Sequence, residues 1–258
     1  MRRLLLPPLL VGLLALASCG DEETAPSTSA SADGAATTTA TETASASDGE
    51  TADSGGKVEI AALGDSITAG SPLWDPEPTV REQLGSDADE QSQFEYWAER
   101  EDPSLAFNNC GIFGERTDEI ARRLDACVAT AGSGADVLIV QGGINDIAQG
   151  SSIDAAAANL QAMVEAGLDD GLEVAITDVL PWNNGHPGAD APIAELNEKI
   201  AAIAKREGVP LLPFHDTLED PANPGTMKQQ WTIDGDHPSV EGYRLLAEQA
   251  VLPNLPAG

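Results

Sequence analysis

The stretch ADVLIVQGG, Ala135 to Gly143, decides the architecture. Four large aliphatic residues, Val137 to Val140, follow one another without a polar break, and the chain then turns at two glycines. Alternation would mark a strand with one wet face. A continuous run marks one covered on both faces, as in a parallel sheet held between layers of helix. Working outward, similar runs recur at KVEIAAL (57–63, into Gly64), LAFNNC (105–110, into Gly111), LEVAITDVL (172–180, up to Pro181) and VPLLPF (209–214). Between them, apolar residues at helical spacing predict helices over 94–101, 116–128, 153–168, 191–208 and 239–252. Five strands alternating with helices predict an α/β chain. The expected fold is a three-layer α/β/α sandwich around a five-stranded parallel sheet, with right-handed crossovers and the flavodoxin-like strand order 2-1-3-4-5.

What precedes residue 57 reads differently. Residues 1–18 carry two arginines, an apolar run too short to span a bilayer with ease, and small residues before Cys19, the pattern of a secretory signal. Leu16-Ala17-Ser18-Cys19 resembles a bacterial lipobox, which implies cleavage before Cys19 and lipid on that cysteine. Residues 20–56, which follow this anchor, are Ser/Thr/Ala/Gly-rich with acidic residues and almost nothing large and apolar, so they read as a disordered tether. A flexible segment of that length has an r.m.s. span of roughly 30–35 Å. The folded domain is therefore expected over 57–258, tethered outside the cytoplasm to the bacterial cell membrane through the lipid alone.

Charge narrows the partners. The chain holds 43 acidic and 13 basic residues. Setting aside eight acidic residues in 20–56 and two arginines in the leader, 57–258 carries about −24. That excludes nucleic acid and docking on anionic lipid as expectations, and disfavours strongly anionic substrates. With Cys19 lipidated, Cys110 and Cys127 remain as an even pair in an oxidising compartment. A straight helix would carry Cys127 about 16 Å along its axis, whereas a bridge needs Cα atoms within about 7 Å. Either the helix is short or broken, or both thiols are free.

Ligands of such sheets bind beyond the carboxyl ends of the strands. Strand 1 ends in Gly64-Asp65-Ser66, strand 2 in Asn109-Cys110-Gly111 with Gly114 after it, and strand 3 in Gly142-Gly143-Ile144-Asn145-Asp146. The last helix is preceded by Asp234-Gly235-Asp236-His237. A serine, a glycine amide, an asparagine amide and an Asp/His pair are thus expected on one rim. Singly, each reads as a cap or a turn: Ser66, Asn145, Asp234 and Asp236 are helix-entry residues, and Gly111 is a turn glycine.

Together, ALGDSITAG, NCGIFGERT, QGGINDI and DGDHPSVEGY resemble the four blocks of the SGNH (GDSL-type) hydrolase superfamily, in order and across nearly all of 57–252. The resemblance implies an esterase with no cofactor. Ser66 would be the nucleophile, His237 its base and Asp234 the orienting acid, with the Ser66 and Gly111 N–H groups and the Asn145 side chain as oxyanion donors. The chemistry agrees: a serine hydroxyl needs a base within hydrogen-bond reach, and a carboxylate three residues before the histidine can fold back onto Nδ1. Pro238 would fit the first turn of the last helix.

Other residues near the rim compete. Asp236 adjoins His237 but neighbours in a turn point apart. Asp65 is expected to brace the Ser66 loop. Trp182, Asn183, Asn184 and His186, in the loop after strand 4, are candidates for a substrate wall. His215 reads as structural. The three histidines show no ligand spacing, so no metal is implied. No long apolar stripe is evident, which favours a short-chain or acetylated-carbohydrate ester as the small-molecule substrate. The alternatives are a lysophospholipase or thioesterase of the same fold, or a cell-surface lipoprotein that binds glycan without cutting it.

Overall fold

The computed structural model describes residues 56–132 and 134–256. The leader, Cys19 and the tether lie outside the described residues. Among the described residues no helix is long and apolar enough to cross a membrane.

Five strands form one parallel sheet: β1 (Val58–Gly64), β2 (Leu105–Gly111), β3 (Val137–Val140), β4 (Glu173–Thr177) and β5 (Leu211–Leu212). Their order is β2-β1-β3-β4-β5, as the sequence predicts. Every residue of β3 is buried, which is the continuous apolar run expressed in space. The two-residue period divides the sheet's side chains between two cores. Ala61, Leu63, Leu138, Val140, Val174 and Ile176 meet helices α4 (Thr117–Ala121), α5 (Leu124–Thr130), α7 (Ile153–Asp169) and α8 (Asp190–Glu207). Ile60, Ala62, Val137, Ile139, Ala175 and Leu212 meet α3 (Phe94–Glu101), α9 (Phe214–Leu218) and α10 (Val240–Leu245). The remaining helices are short: α1 (Ser66–Ala69), α2 (Pro78–Leu84) and α6 (Ile144–Ala148).

Three local expectations change. The strand expected over 209–214 pairs only at Leu211–Leu212, because Pro210 and Pro213 flank it and proline has no N–H for a ladder. The last helix begins at Val240 with Ser239 as its cap, so Pro238 stands one residue before the cap and not in the first turn. It then widens into a π-helical turn over Leu246–Val251.

The third change shapes the site. The helix expected over 116–128 breaks between Ala121 and Leu124. There the Arg123 guanidinium turns into the sheet edge and donates to the carbonyls of Cys110 (2.8 Å) and Gly64 (3.1 Å), while pairing with Glu115. The break swings α5 back against β2. Cys127 thereby comes within 5.9 Å, Cα to Cα, of Cys110, and the two are joined in a disulfide. Of the open alternatives, the broken helix is the one observed.

Candidate active site

Ser66 is the first residue of α1, directly beyond the carboxyl end of β1, and is 5% exposed. The turn that puts it there is tight. A side chain at Gly64 would lie 2.1 Å from Thr68 Oγ1 and 2.4 Å from Gln141 Oε1. Gln141, at the end of β3, accepts from the Asp65 N–H (3.0 Å) and the Thr68 hydroxyl (2.8 Å), so strand 3 fixes the serine turn. Asp65 caps α1 by accepting from the Ile67 N–H (2.9 Å), which is the bracing role expected of it. Burial pushes the Asp65 carboxyl up to about 6, partly offset by the Ile67 N–H. Its Oδ2 has no partner among the described residues.

Nearly the whole folded length separates Ser66 from His237, yet His237 Nε2 lies 3.0 Å from Ser66 Oγ. The other ring nitrogen, Nδ1, lies 2.8 Å from Asp234 Oδ2. Asp234 Oδ1 meanwhile accepts from the backbone N–H groups of Asp236 (2.8 Å) and His237 (2.7 Å). One carboxylate thus builds the turn with one oxygen and orients the imidazole with the other. Gly235 makes the turn possible at φ 93°, a left-handed conformation that favours glycine. Burial raises the Asp234 pKa, but the hydrogen bonds from His237 and Asp236 outweigh it and hold the carboxyl below its usual range.

Asp236 has another task. Its Oδ1 accepts from Trp182 Nε1 (2.8 Å) and meets His186 Nε2 at 2.6 Å, and the two rings stack with centroids 3.7 Å apart. Trp182 and His186 therefore clamp the loop after β4 to the turn that carries His237. The two asparagines beside them are occupied within the loop region. Asn183 Oδ1 accepts from the Gly188 N–H (3.1 Å), and Asn184 pairs through both ends of its amide with the backbone of Met227 (2.7 and 2.8 Å). All four residues of the expected substrate wall are thus held by partners within the protein. His215 is elsewhere, its N–H donated to Asp178 (2.7 Å) and its ring near Asp216.

The three groups expected from sequence to be oxyanion donors divide. Asn145, in α6, donates from Nδ2 to the Glu115 carbonyl (3.0 Å), leaving its second amide hydrogen uncommitted. Ser66 N–H makes no hydrogen bond among the described residues. Gly111 departs from expectation. Its N–H is already taken by Asn109 Oδ1 at 2.9 Å. Gly111 is there for packing, since a Cβ would lie 2.0 Å from the Ala69 nitrogen of α1. Among the described residues the N–H groups of Phe113 and Gly114 make no hydrogen bond, and Gly114, three residues on from Gly111, takes φ 80°. Gly114 sits between Phe113, whose ring stacks on His237 at 6.0 Å, and Glu115, whose carbonyl holds Asn145. Gln149 pins the Gly114 carbonyl (3.0 Å), and buried Asp146 ties α6 to Thr117 through two bonds of 2.9 Å. The loop is thus held in place on both sides of Gly114. The sequence signal was the second glycine of the NCGIFGERT block, which sequence alone gave no reason to prefer.

A sequence profile of the GDSL-like lipase/acylhydrolase family matches residues 62–245. Among solved structures, the chain is similar to a G-D-S-L family protein from Desulfitobacterium hafniense (TM-score 0.61, 21% identity, 74% of this chain and 97% of that one). It is also similar to a member of the lipolytic protein G-D-S-L family from Veillonella parvula (TM-score 0.58, 23% identity, 73% and 93%). A third is the lipase/acylhydrolase from Enterococcus faecalis (TM-score 0.57, 21% identity, 73% and 90%). These likenesses show the shared fold. Among curated proteins no match is found.

Proposed function

The chain belongs to the GDSL-like lipase/acylhydrolase family, and from that premise we propose that it is an extracytoplasmic serine ester hydrolase working through an acyl-enzyme. The observation that carries the reading is the Ser66–His237–Asp234 chain of contacts, at 3.0 and 2.8 Å. His237 takes the Ser66 proton as Oγ attacks the ester carbonyl, and Asp234 offsets the charge on the imidazolium. The proton passes to the leaving alcohol as the ester C–O bond breaks. Water, deprotonated by the same histidine, then releases the acid from Ser66. The N–H groups of Ser66 and Gly114 and the Asn145 amide hold the oxyanion, Gly114 replacing Gly111 in that role.

The location rests on the leader and lipobox reading at Cys19, to which the Cys110–Cys127 disulfide lends support as a bond at home in an oxidising compartment. A glycan binder without turnover has no use for an imidazole held against a serine hydroxyl. Hydrolysis of p-nitrophenyl acetate by the folded protein tests the proposal. Turnover should vanish in Ser66→Ala and His237→Ala while circular dichroism is unchanged. Equal turnover in wild type and Ser66→Ala would refute it. The acyl preference, expected from sequence to be short, is taken up next.

A further inference from the structure

Beside the triad lies a groove of about 690 Å³ that neither Ser66, Asp234 nor His237 lines. Pro76, Val80, Ile112, Phe113, Ala126 and the Cys110–Cys127 disulfide form most of its wall. Its size is that of a small-molecule site. Carboxylates border it, and the one cation of its lining, Arg123, is already engaged by Glu115 and by the carbonyls of Gly64 and Cys110. The groove therefore has nothing to offer an anion. It has much to offer a hydrocarbon. Of five exposed large hydrophobic residues among the described ones, three, Val80, Ile112 and Phe113, border it. In so acidic a chain, apolar surface gathered at one place marks a binding site.

One ring borders both the groove and the site. Phe113 lines the groove and stacks on the His237 imidazole. The next residue is Gly114, whose free N–H is proposed above to hold the carbonyl oxygen. A carbonyl held by Gly114 is thus one residue along the chain from the groove's wall, and the acyl chain is the substituent that stays bonded to its carbon in the acyl-enzyme. We infer that the groove binds the acyl chain of the substrate, and that the substrate is an ester of a medium-length aliphatic acid. This rests on the hydrolase reading and replaces the expectation of an acetyl-sized group. The groove exists because α5 is folded back on β2, with the disulfide as part of its wall.

The test compares two series of esters. In one, p-nitrophenyl esters run from acetate through butyrate and octanoate to palmitate. In the other, acetates of alcohols lengthen on the leaving side. The expected result is a rise in kcat/KM of roughly three- to fourfold per methylene along the acyl series until the groove is filled, and a flat alcohol series. Ala126→Trp, on the exposed side of α5, should lower octanoate turnover at least about tenfold and leave acetate turnover within about twofold. Val80→Asp, at a half-exposed position, should do the same by placing a charge against the chain. A flat acyl series, a rise untouched by both variants, or a rise confined to the alcohol series would overturn the assignment while acetate hydrolysis stands. Failure of wild type to cleave any ester would overturn the hydrolase reading and the groove's role with it.

Discussion

Replacing Asp234 by asparagine isolates what that carboxylate does for the imidazole. The side chain has two separate duties. Oδ1 accepts from the N–H groups of Asp236 and His237 at 2.8 and 2.7 Å, and an amide oxygen can keep both bonds. Oδ2 faces His237 Nδ1 at 2.8 Å, and there the substitution puts an NH₂ donor. The imidazole must then offer Nδ1 as an acceptor and carry its proton on Nε2. That nitrogen, 3.0 Å from Ser66 Oγ, becomes a donor and can no longer take the serine's proton. The expected loss in kcat is roughly 10⁴-fold, or about 5.5 kcal/mol in the barrier. Stability should change by no more than about 1–1.5 kcal/mol, because the turn keeps its backbone bonds. Steady-state hydrolysis of the best p-nitrophenyl ester reads the first quantity and urea unfolding the second. Asp236→Asn is the control: it touches Trp182 and His186 but not Nδ1, and should keep kcat within about tenfold of wild type. If Asp234→Asn stays within about tenfold and Asp236→Asn falls by thousands, the orienting acid has been misidentified.

Asn145→Ala should lower kcat about 10²- to 10³-fold with the fold intact, since it removes one oxyanion donor; an unchanged rate in the same assay would exclude it from the oxyanion site. Gly111→Ala should destabilise the protein by about 1–3 kcal/mol or more in thermal unfolding, because its Cβ meets the Ala69 nitrogen at 2.0 Å; full stability would deny the packing role. Removing the disulfide as Cys110→Ser with Cys127→Ser opens a loop of sequence separation 17 and should cost about 3 kcal/mol, read by urea unfolding. Asp65, raised from 3.8 to about 6, holds a proton in the folded state that the unfolded chain has released, so its contribution makes stability fall as pH rises from about 4 to about 6. Asp65→Asn keeps the cap oxygen and should gain up to about 3 kcal/mol on wild type at pH 7, with little gain near pH 4; an equal difference at both pH values would contradict the burial account.

The sheet was legible because its determinant is local: runs such as Val137–Val140 are satisfied between two helix layers, and the strand order observed is the flavodoxin-like one expected for such a chain, which crossover handedness alone does not fix. The Ser66, His237 and Asp234 positions were legible through four blocks of residues, and the three-residue offset of Asp234 foretold its contact with Nδ1. What sequence missed depends on contacts far along the chain. Arg123 breaks its helix to reach Gly64 and Cys110, and helical periodicity gives no hint of that. Gly111 and Gly114 are the same residue in the same block, and only the Asn109 side chain, by taking one N–H, tells them apart. Trp182 and His186 read as candidate substrate contacts because their loop opens on the rim; their bonds to Asp236, across 54 and 50 residues, had no signal in the sequence. The groove, assembled from residues 75–80, the end of β2 and α5, has no linear signature at all.

The most direct measurement is mass spectrometry of the folded protein after treatment with a fluorophosphonate. A serine becomes reactive to that reagent only when a base activates it and donors receive the phosphoryl oxygen. One adduct is expected, on the peptide carrying Ser66, absent in Ser66→Ala and formed far more slowly in His237→Ala. No adduct in folded protein, or an adduct on another serine that persists in Ser66→Ala, would contradict the account.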